Sequence, residues 1–294
     1  MLKAKAAAFG KRGTRSSPAV AAKPTRKKTA EKAAARAGKT ARKISGKSVR
    51  SGPGALKQAG APPIELYYWP TPNGWKVSIM LEECGLGYAM KPIDIGKGEQ
   101  FTSAFLAIAP NNRIPAIVDP DGPGGKPISI FESGAILQYL GRKTGRFYPA
   151  DERGRAEVDQ WLFWQMGGLG PMTGQANHFA NYAPEKLPYA VQRYADEVDR
   201  LLGVMEVRLR DRPYLAGAYS IADMASLGWV LSAIRLGADM TKFPRLADWV
   251  ARIRARPAVV RGLALGRDLR RALAGDAKAQ AEARKILLGQ RARL

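Results

Sequence analysis

The sequence predicts an α/β domain followed by an all-helical domain. Apolar residues alternate from Ile64 to Tyr68, which is the period of a strand, and recur at helical spacing from Val77 to Cys84. Beyond Asp151 the helical period continues and no strand pattern returns. We therefore expect an α/β domain over residues 61–145 and an all-helical domain over residues 151–261.

The α/β domain is predicted to follow the order βαβαββα. A turn rich in Pro, Asn and Gly separates the first strand from the first helix, which Gly85 or Gly87 ends. The segment Arg113–Val118 places Pro115 at the first residue of a predicted strand, and the Ile114–Pro115 bond is a candidate for the cis form. The other predicted elements are strands at Ala89–Ile95 and Ile128–Ile130, and helices near Thr102–Ile108 and at Glu132–Lys143.

Two amphipathic stripes and one capping motif define the all-helical domain. One stripe runs from Tyr194 to Leu209 and the other from Leu246 to Ile253, both at helical spacing. Ser220 followed by Asp223 is a capping box in its Asp form, so we expect a buried helix to begin there and to extend through Trp229. We interpret this box as structural rather than catalytic.

The chain contains one cysteine and no long apolar segment. Because Cys84 has no partner within the chain, no intrachain disulfide can form, and we expect a reducing, cytoplasmic location. No uninterrupted apolar run approaches the ~20 residues that a membrane span requires, so no membrane partner is expected. Cys84 shares a helix face with Val77 and Met80, which favours a buried, inert thiol over a nucleophile.

The net charge of +23 is concentrated outside the predicted domains. Residues 1–60 carry 17 Lys and Arg against one acidic residue, whereas residues 61–260 carry 22 against 21. Because residues 1–60 contain almost no aromatic residues, they cannot bury enough apolar surface to fold, and we expect a disordered basic tail. A second basic tail is expected at residues 262–294.

Three interpretations of the first tail stay open. The favoured one is an arm that is either simply solvated or binds polyanions, such as nucleic acid, without specificity. Its Lys-Pro, Lys-Lys and Ala-Ala pairs resemble those of histone H1-like tails. An organellar presequence is the second interpretation, because the segment bears Arg and Ser and is nearly free of acidic residues. An over-extended start of the reading frame is the third.

The turn before the first helix is a candidate anion site. Pro70 and Pro72 restrict its backbone, and Gly74 permits close approach. The free amides at the start of the helix leave a partial positive charge beside Thr71 and Asn73. Such a corner suits a bound anion, and a thiolate is one candidate. A plain Thr or Asx turn is the alternative interpretation.

This organisation resembles the glutathione transferases, whose first domain is thioredoxin-like. The resemblance rests on the Ile-Pro pair of the third strand and on the Glu-Ser pair before the last helix of the α/β domain. It runs from about Ile64 to about Pro257 and leaves out both basic tails. Four motifs are similar to those of the Nu class, the bacterial branch that includes glutathione-dependent disulfide-bond reductases. They are WLFWQMGGLGPM (Trp161–Met172), Asn177-His178-Phe179, PYAVQRY (Pro188–Tyr194) and SIAD (Ser220–Asp223).

The resemblance implies a role for four residues. Thr71 and Asn73 would contact the sulfur of glutathione and, together with the helix N-terminus, favour its thiolate. Gln100 would lie near the glycyl carboxylate. Arg193 would reach the bound peptide from the second subunit of a homodimer, where a guanidinium suits a carboxylate.

Further candidates for glutathione binding lie around the third strand and the last helix of the α/β domain. Glu132 can pair with the γ-glutamyl ammonium, and Ser133 can hold the γ-glutamyl carboxylate at the helix N-terminus. A Ser cap beside a dipole-favoured Glu is the alternative. Ile114, with Arg113 beside it, presents extended backbone that can clamp the cysteinyl part as an added strand would. A strand-entry proline explains the same pattern and is compatible with this role.

We therefore expect a homodimeric glutathione transferase, and two chemistries stay open. The glutathione thiolate either attacks a small electrophile and stays attached, or reduces a small disulfide or peroxide by exchange at its sulfur. No metal is expected, because His178, the single histidine, has no Cys or acidic partner at metal-ligand spacing. The alternative function is a non-catalytic binding module that keeps the fold while its basic tails bind nucleic acid.

Overall fold

The computed structural model describes residues 63–269 and 277–289 of the chain. The expected basic tail at residues 1–60 lies outside the described residues. Within those two ranges, no helix combines the length and the apolar character that crossing a membrane requires.

A four-stranded mixed sheet forms the centre of the first domain. Its strands are β1 (Ile64–Tyr68), β2 (Tyr88–Pro92), β3 (Ala116–Asp119) and β4 (Ile128–Phe131), in the spatial order β2-β1-β3-β4. β1 pairs in parallel with β2 and antiparallel with β3, and β3 pairs antiparallel with β4. This is the predicted thioredoxin-like domain. The Ile114–Pro115 peptide bond before β3 is cis.

Three helices complete the first domain, and the second domain is all-helical as predicted. The helices of the first domain are α1 (Pro72–Cys84), α2 (Ser103–Leu106) and α3 (Ser133–Thr144). Those that follow are α4 (Glu152–Trp164), α5 (Gly170–Asn177), α6 (Pro188–Arg208), α7 (Ile221–Arg235), α8 (Pro244–Arg254), α9 (Pro257–Ala264) and α10 (Ala277–Leu288). Short π-helical turns at Gln165–Leu169 and His178–Tyr182 flank α5.

Helix α1 is buried between the sheet and the second domain. It ends at Gly85, whose left-handed conformation (φ 67°) suits a residue without a Cβ. α1 packs on α7 and α9, and the Ser78 hydroxyl donates to the Gly262 carbonyl oxygen at 2.8 Å. Arg256 donates twice to the carboxylate of Glu83, at 2.6 and 2.9 Å. These contacts join the middle and the C-terminal end of α1 to the second domain.

The predicted capping box at the start of α7 is confirmed, and its Asp has a wider role. Asp223 accepts from the backbone N–H of Ser220 at 3.0 Å, from the N–H of Leu215 at 3.0 Å and from Trp249 Nε1 at 2.9 Å. Its complete burial raises the pKa of this carboxyl to about 6, although these hydrogen bonds act in the opposite direction. Asp223 therefore joins α7 to α8 as well as capping α7.

The C-terminal boundary expected at residue 261 falls inside a helix. α9 continues to Ala264, and beyond it the Leu265 carbonyl oxygen accepts from the Tyr68 hydroxyl of β1 at 3.2 Å. α10 lies within the segment that we expected to be a basic tail. Part of that segment therefore belongs to the folded body, because it packs against the first domain.

Candidate active site

A cavity of about 1080 Å³ lies at the N-terminal end of α1. Its walls come from the turn Trp69–Pro72, from Ile95 and Gly96, and from α5, α7 and α10. Among the predicted site residues, Thr71 lines this cavity. The predicted anion corner therefore opens into a space large enough for a peptide and a second small molecule.

Thr71 caps α1 and still has a proton to donate. Its backbone is extended, and its Oγ1 accepts from the Gly74 N–H at 3.2 Å. A Cβ on Gly74 would lie 2.2 Å from the Trp69 carbonyl oxygen, so only glycine permits this tight turn. Because a hydroxyl can accept and donate at the same time, capping leaves the Thr71 O–H available to a group in the cavity.

Asn73 is oriented by a tryptophan of the second domain. Trp229 Nε1 donates to Asn73 Oδ1 at 3.1 Å. Since the indole nitrogen can only donate, this contact assigns the oxygen of the amide to Trp229 and turns the Asn73 Nδ2 donors away from it. α7 approaches closely enough for this contact because it carries Gly228, where a Cβ would lie 2.8 Å from the Pro72 carbonyl oxygen.

Ser133 is connected to α1 through a buried lysine. The Ser133 side chain lies at the start of α3, and its Oγ accepts from Lys76 Nζ at 3.2 Å. Burial lowers the pKa of Lys76 to about 7, and the nearby Glu132 carboxylate partly opposes this shift. Glu132 itself is exposed, has a left-handed φ of 68° and accepts from Asn111 Nδ2 at 3.2 Å. The structure thus brings the starts of α1 and α3 together.

Gln100 and Ile114 are the two remaining predicted site residues of the first domain that are at least half-buried. Gln100 is 2% exposed, and its Nε2 donates to the Ile95 carbonyl oxygen at 3.2 Å, beside the cavity wall. Its Oε1 has no hydrogen-bond partner among the described residues. Ile114 is half-buried against Phe105 and Ala116. Their roles in binding glutathione stay predictions.

Arg113 and Arg193 are not among the described residues that line the cavity. Arg113 is exposed and donates to Asn112 Oδ1 at 2.5 Å. Arg193 is exposed on α6. Its contact with the bound peptide from a second subunit stays a prediction.

Three features of the site were missed from the sequence. Trp229 was predicted only as part of a buried helix, and Lys76 and α10 were not considered for the site. The position of Lys76 within an apolar helix face was a sign that it belongs to the site, because a lysine is rarely fully buried unless it has a partner. No local signal pointed to Trp229 or α10, since their contacts with the site depend on tertiary packing.

Among the described residues, neither Cys84 nor His178 belongs to a cluster of metal-ligating side chains. Cys84 is half-buried rather than buried, and burial raises the pKa of its thiol. The His178 ring packs edge-on against Phe179, with the ring centroids 5.0 Å apart. No group of His, Cys, Asp and Glu residues that could hold a metal ion occurs in residues 63–269 and 277–289.

Comparison with known proteins identifies the family. The family model described as the glutathione S-transferase N-terminal domain matches residues 62–142, and the one for the C-terminal domain matches residues 171–257. This chain belongs to the glutathione S-transferase family. The disulfide-bond oxidoreductase YfcG of Escherichia coli (strain K12) is 51% identical to this transferase over 202 residues, which are 68% of this chain and 94% of YfcG. Disulfide-bond oxidoreductase YghU of the same strain is 40% identical over 222 residues, covering 71% of this chain and 76% of YghU.

Solved structures of similar proteins contain glutathione. A glutathione transferase from Burkholderia graminis, with two glutathione molecules bound per subunit, has a TM-score of 0.67 and 47% identity, covering 70% of this transferase and 89% of that chain. One from Pseudomonas putida, with one glutathione disulfide bound per subunit, has a TM-score of 0.67 and 43% identity, covering 69% and 91%. The predicted family is thereby confirmed.

Proposed function

We propose that this transferase binds glutathione as a thiolate and uses it to reduce small disulfides. The observation that carries the proposal is a pair of donors at the start of α1, the Thr71 hydroxyl and the Asn73 Nδ2 group, which have no acceptor among the described residues. Thr71 lines a large cavity. Two hydrogen-bond donors and a helix N-terminus together stabilise a thiolate over a thiol. The chain's own thiol, with its raised pKa, is not suited to this task.

The rest of the site would hold the other parts of the peptide. Ser133 and Glu132 would bind the γ-glutamyl carboxylate and ammonium, and the backbone of Ile114 would clamp the cysteinyl part. Gln100 would lie near the glycyl carboxylate. In a homodimer, Arg193 would add a cationic contact from the second subunit.

The reaction needs two molecules of glutathione for each disulfide reduced. The first thiolate attacks one sulfur of the substrate disulfide, which forms a mixed disulfide and releases one substrate thiolate that takes up a proton. The second thiolate attacks the glutathione sulfur of the mixed disulfide and releases the other substrate thiol. Two glutathiones are oxidised to glutathione disulfide while the substrate gains two electrons and two protons. Structures of relatives with two glutathiones or with glutathione disulfide are consistent with this stoichiometry.

The non-catalytic alternative is less well supported. The relatives reported above carry the names of oxidoreductases and transferases, and the site has donor groups that the fold does not consume. The basic N-terminal tail lies outside both family models, so these comparisons do not bear on nucleic-acid binding by that tail.

Substitutions at Thr71 test the proposal. Thr71→Val removes the hydroxyl and should raise the pKa of the bound glutathione thiol, because a hydrogen bond to a charged group is worth about 1.5–3 kcal/mol. We expect turnover of a small disulfide to fall by about tenfold or more near neutral pH, whereas Thr71→Ser should stay close to the wild type. The ultraviolet absorbance of the bound thiolate, followed against pH, measures the thiol directly.

Thr102→Val is the matched control, since Thr102 caps α2 in the same way but lies away from the cavity. It should leave thiolate formation unchanged. Full thiolate absorbance and turnover in Thr71→Val would contradict the assigned role of the hydroxyl. Absence of glutathione binding by the wild-type chain would overturn the proposed function, and conjugation without disulfide turnover would favour the other expected chemistry.

A further inference from the structure

Lys76 is a buried basic residue whose described hydrogen-bond partners are neutral. Its side chain is 1% exposed, and its Nζ lies 2.6 Å from Gln165 Oε1, 3.2 Å from Ser133 Oγ and 3.2 Å from Met166 Sδ. In the described part of the chain, no carboxylate forms a salt bridge with it. A buried ammonium without a counter-ion is costly, so its position beside a helix N-terminus calls for an explanation.

The position of Lys76 relative to Ser133 supplies that explanation. A protonated lysine has three donors and no acceptor, so it can only donate to Ser133 Oγ and must leave the serine proton free to point elsewhere. The other described contact of the Ser133 hydroxyl is the Met166 sulfur at 3.8 Å, which is a weak acceptor. A neutral lysine, in contrast, has a lone pair that can accept the serine proton and turn it away from a ligand.

We propose that Lys76 is a positioning residue for the γ-glutamyl carboxylate of glutathione, which directs the Ser133 hydroxyl toward that carboxylate and whose own charge is coupled to that of the bound carboxylate. This inference rests on the proposed function, because it requires glutathione at Ser133. The carboxylate provides the missing negative charge, and Lys76 acts on it through Ser133 and through space. No role in the chemistry at sulfur is implied.

The charged surroundings of Lys76 make proton uptake measurable near neutral pH. Burial lowers the pKa of Lys76 to about 7, and Glu132 is the charged group of the neighbouring elements that raises it. The facing side chains of α3 and of the turn after α4 are Ser133, Gln165 and Met166, which carry no charge. A bound carboxylate adds a second negative charge and raises the pKa further. A site that is largely neutral above pH 7 then becomes protonated in the complex.

Calorimetry with S-methylglutathione tests this linkage in the full chain. In this ligand a methyl group replaces the thiol proton, so the sulfur contributes nothing to the number of protons exchanged on binding. Titrations in two buffers with different ionisation enthalpies, between about pH 6.5 and pH 7.5, give the number of protons exchanged while the α-amine of the ligand, beside its own carboxylate, stays protonated. We expect the wild type to take up a substantial fraction of a proton and its affinity to fall by up to about tenfold per pH unit above pH 7. Lys76→Met should show no uptake, a flat pH profile and affinity about tenfold weaker near pH 6.5.

His178→Gln is the matched control, because it removes the chain's single imidazole, the other type of group that ordinarily titrates in this range. It should keep the proton uptake of the wild type. Three results would overturn the inference and leave the proposed function standing. They are proton uptake that persists in Lys76→Met, uptake that disappears in His178→Gln, and absence of uptake in a wild type that still binds S-methylglutathione. The wild-type measurement decides the matter even if Lys76→Met does not fold. Absence of binding by the wild type would overturn both.

Discussion

The surroundings of Cys84 and those of the proposed glutathione sulfur have opposite effects on the pKa of a thiol. Cys84 Sγ lies on α1 beside Met80 Sδ at 3.9 Å and Thr144 Oγ1 at 3.5 Å, and burial raises the pKa of its thiol. At the other end of the same helix, Thr71 and Asn73 are proposed to donate to a ligand sulfur. The proposed site would therefore favour the thiolate of a bound peptide, whereas burial of Cys84 disfavours the thiolate of the chain's own cysteine.

Lys76 should also change the stability of the protein with pH. Its folded pKa of about 7 lies below the ~10.4 of an unfolded lysine, so between these values the unfolded chain binds a proton that the folded chain does not. Stability from this group therefore rises with pH in that window, by up to ~1.4 kcal/mol per pH unit. Below about pH 7 the full cost of burying the ammonium is present.

Unfolding of Lys76→Met by denaturant, compared with the wild type from about pH 6 to pH 9.5, measures this effect. The free energy of unfolding of the variant relative to the wild type should be highest at low pH and should decrease as the pH rises. A difference that stays constant over this range would show that Lys76 is charged in the folded protein throughout.

At the scale of elements, the polar residues discussed above lie mainly at the N-terminal ends of helices. Thr71 opens α1, Ser133 opens α3, and the Ser220–Asp223 box opens α7. Each start presents backbone N–H groups that lack a partner within the helix. In α7 the capping box accepts hydrogen bonds from backbone N–H groups at the helix start. In α1 and α3 the helix start lies beside the proposed glutathione site.

Helix α10 covers part of the cavity and is predicted to restrict the second substrate. Arg284 anchors it by donating to the carbonyl oxygens of Tyr182 and Ala183, at 3.0 Å each, and Leu287 lines the cavity. A chain that ends at Leu269 should reduce a large aromatic disulfide more efficiently, by about fivefold in kcat/KM relative to a small aliphatic disulfide. Glutathione binding should not change.

Single substitutions separate this effect from a general loss of structure. Arg284→Ala should act in the same direction as the truncation but by a smaller factor, because it loosens the helix without removing it. Lys278→Ala removes a comparable charge from an exposed position of α10 and should have no effect. Equal preference for the two disulfides in the full and truncated chains would mean that α10 does not limit access.

At the scale of the whole molecule, charge and fold are separated along the chain. Residues 61–260 are almost neutral, whereas residues 1–60 carry 17 basic residues against one acidic residue. We therefore expect any long-range attraction to polyanions to come from the termini rather than from the catalytic body. The two parts should be separable in experiment.

Deleting residues 1–60 should abolish binding to duplex DNA and leave disulfide turnover unchanged. For the full chain, we expect the affinity for DNA to fall by at least about a hundredfold between about 50 and 200 mM salt, because neutralised phosphates release counterions. Filter binding or fluorescence anisotropy on both chains measures this. DNA binding that survives the deletion would place the interaction on the folded body instead.

The sequence by itself determined the elements and their family, and the tertiary structure decided how the site is supported. The strand at Ile64–Tyr68, the start of α1 and the capping box were predictable because periodicity and capping act over a few neighbouring residues. The contact of Lys76 with Ser133 joins residues 57 positions apart, and that of Trp229 with Asn73 joins residues 156 positions apart. Such contacts follow from how helices pack, which no local pattern encodes. For the same reason the covering of the cavity by α10 emerged only from the folded chain.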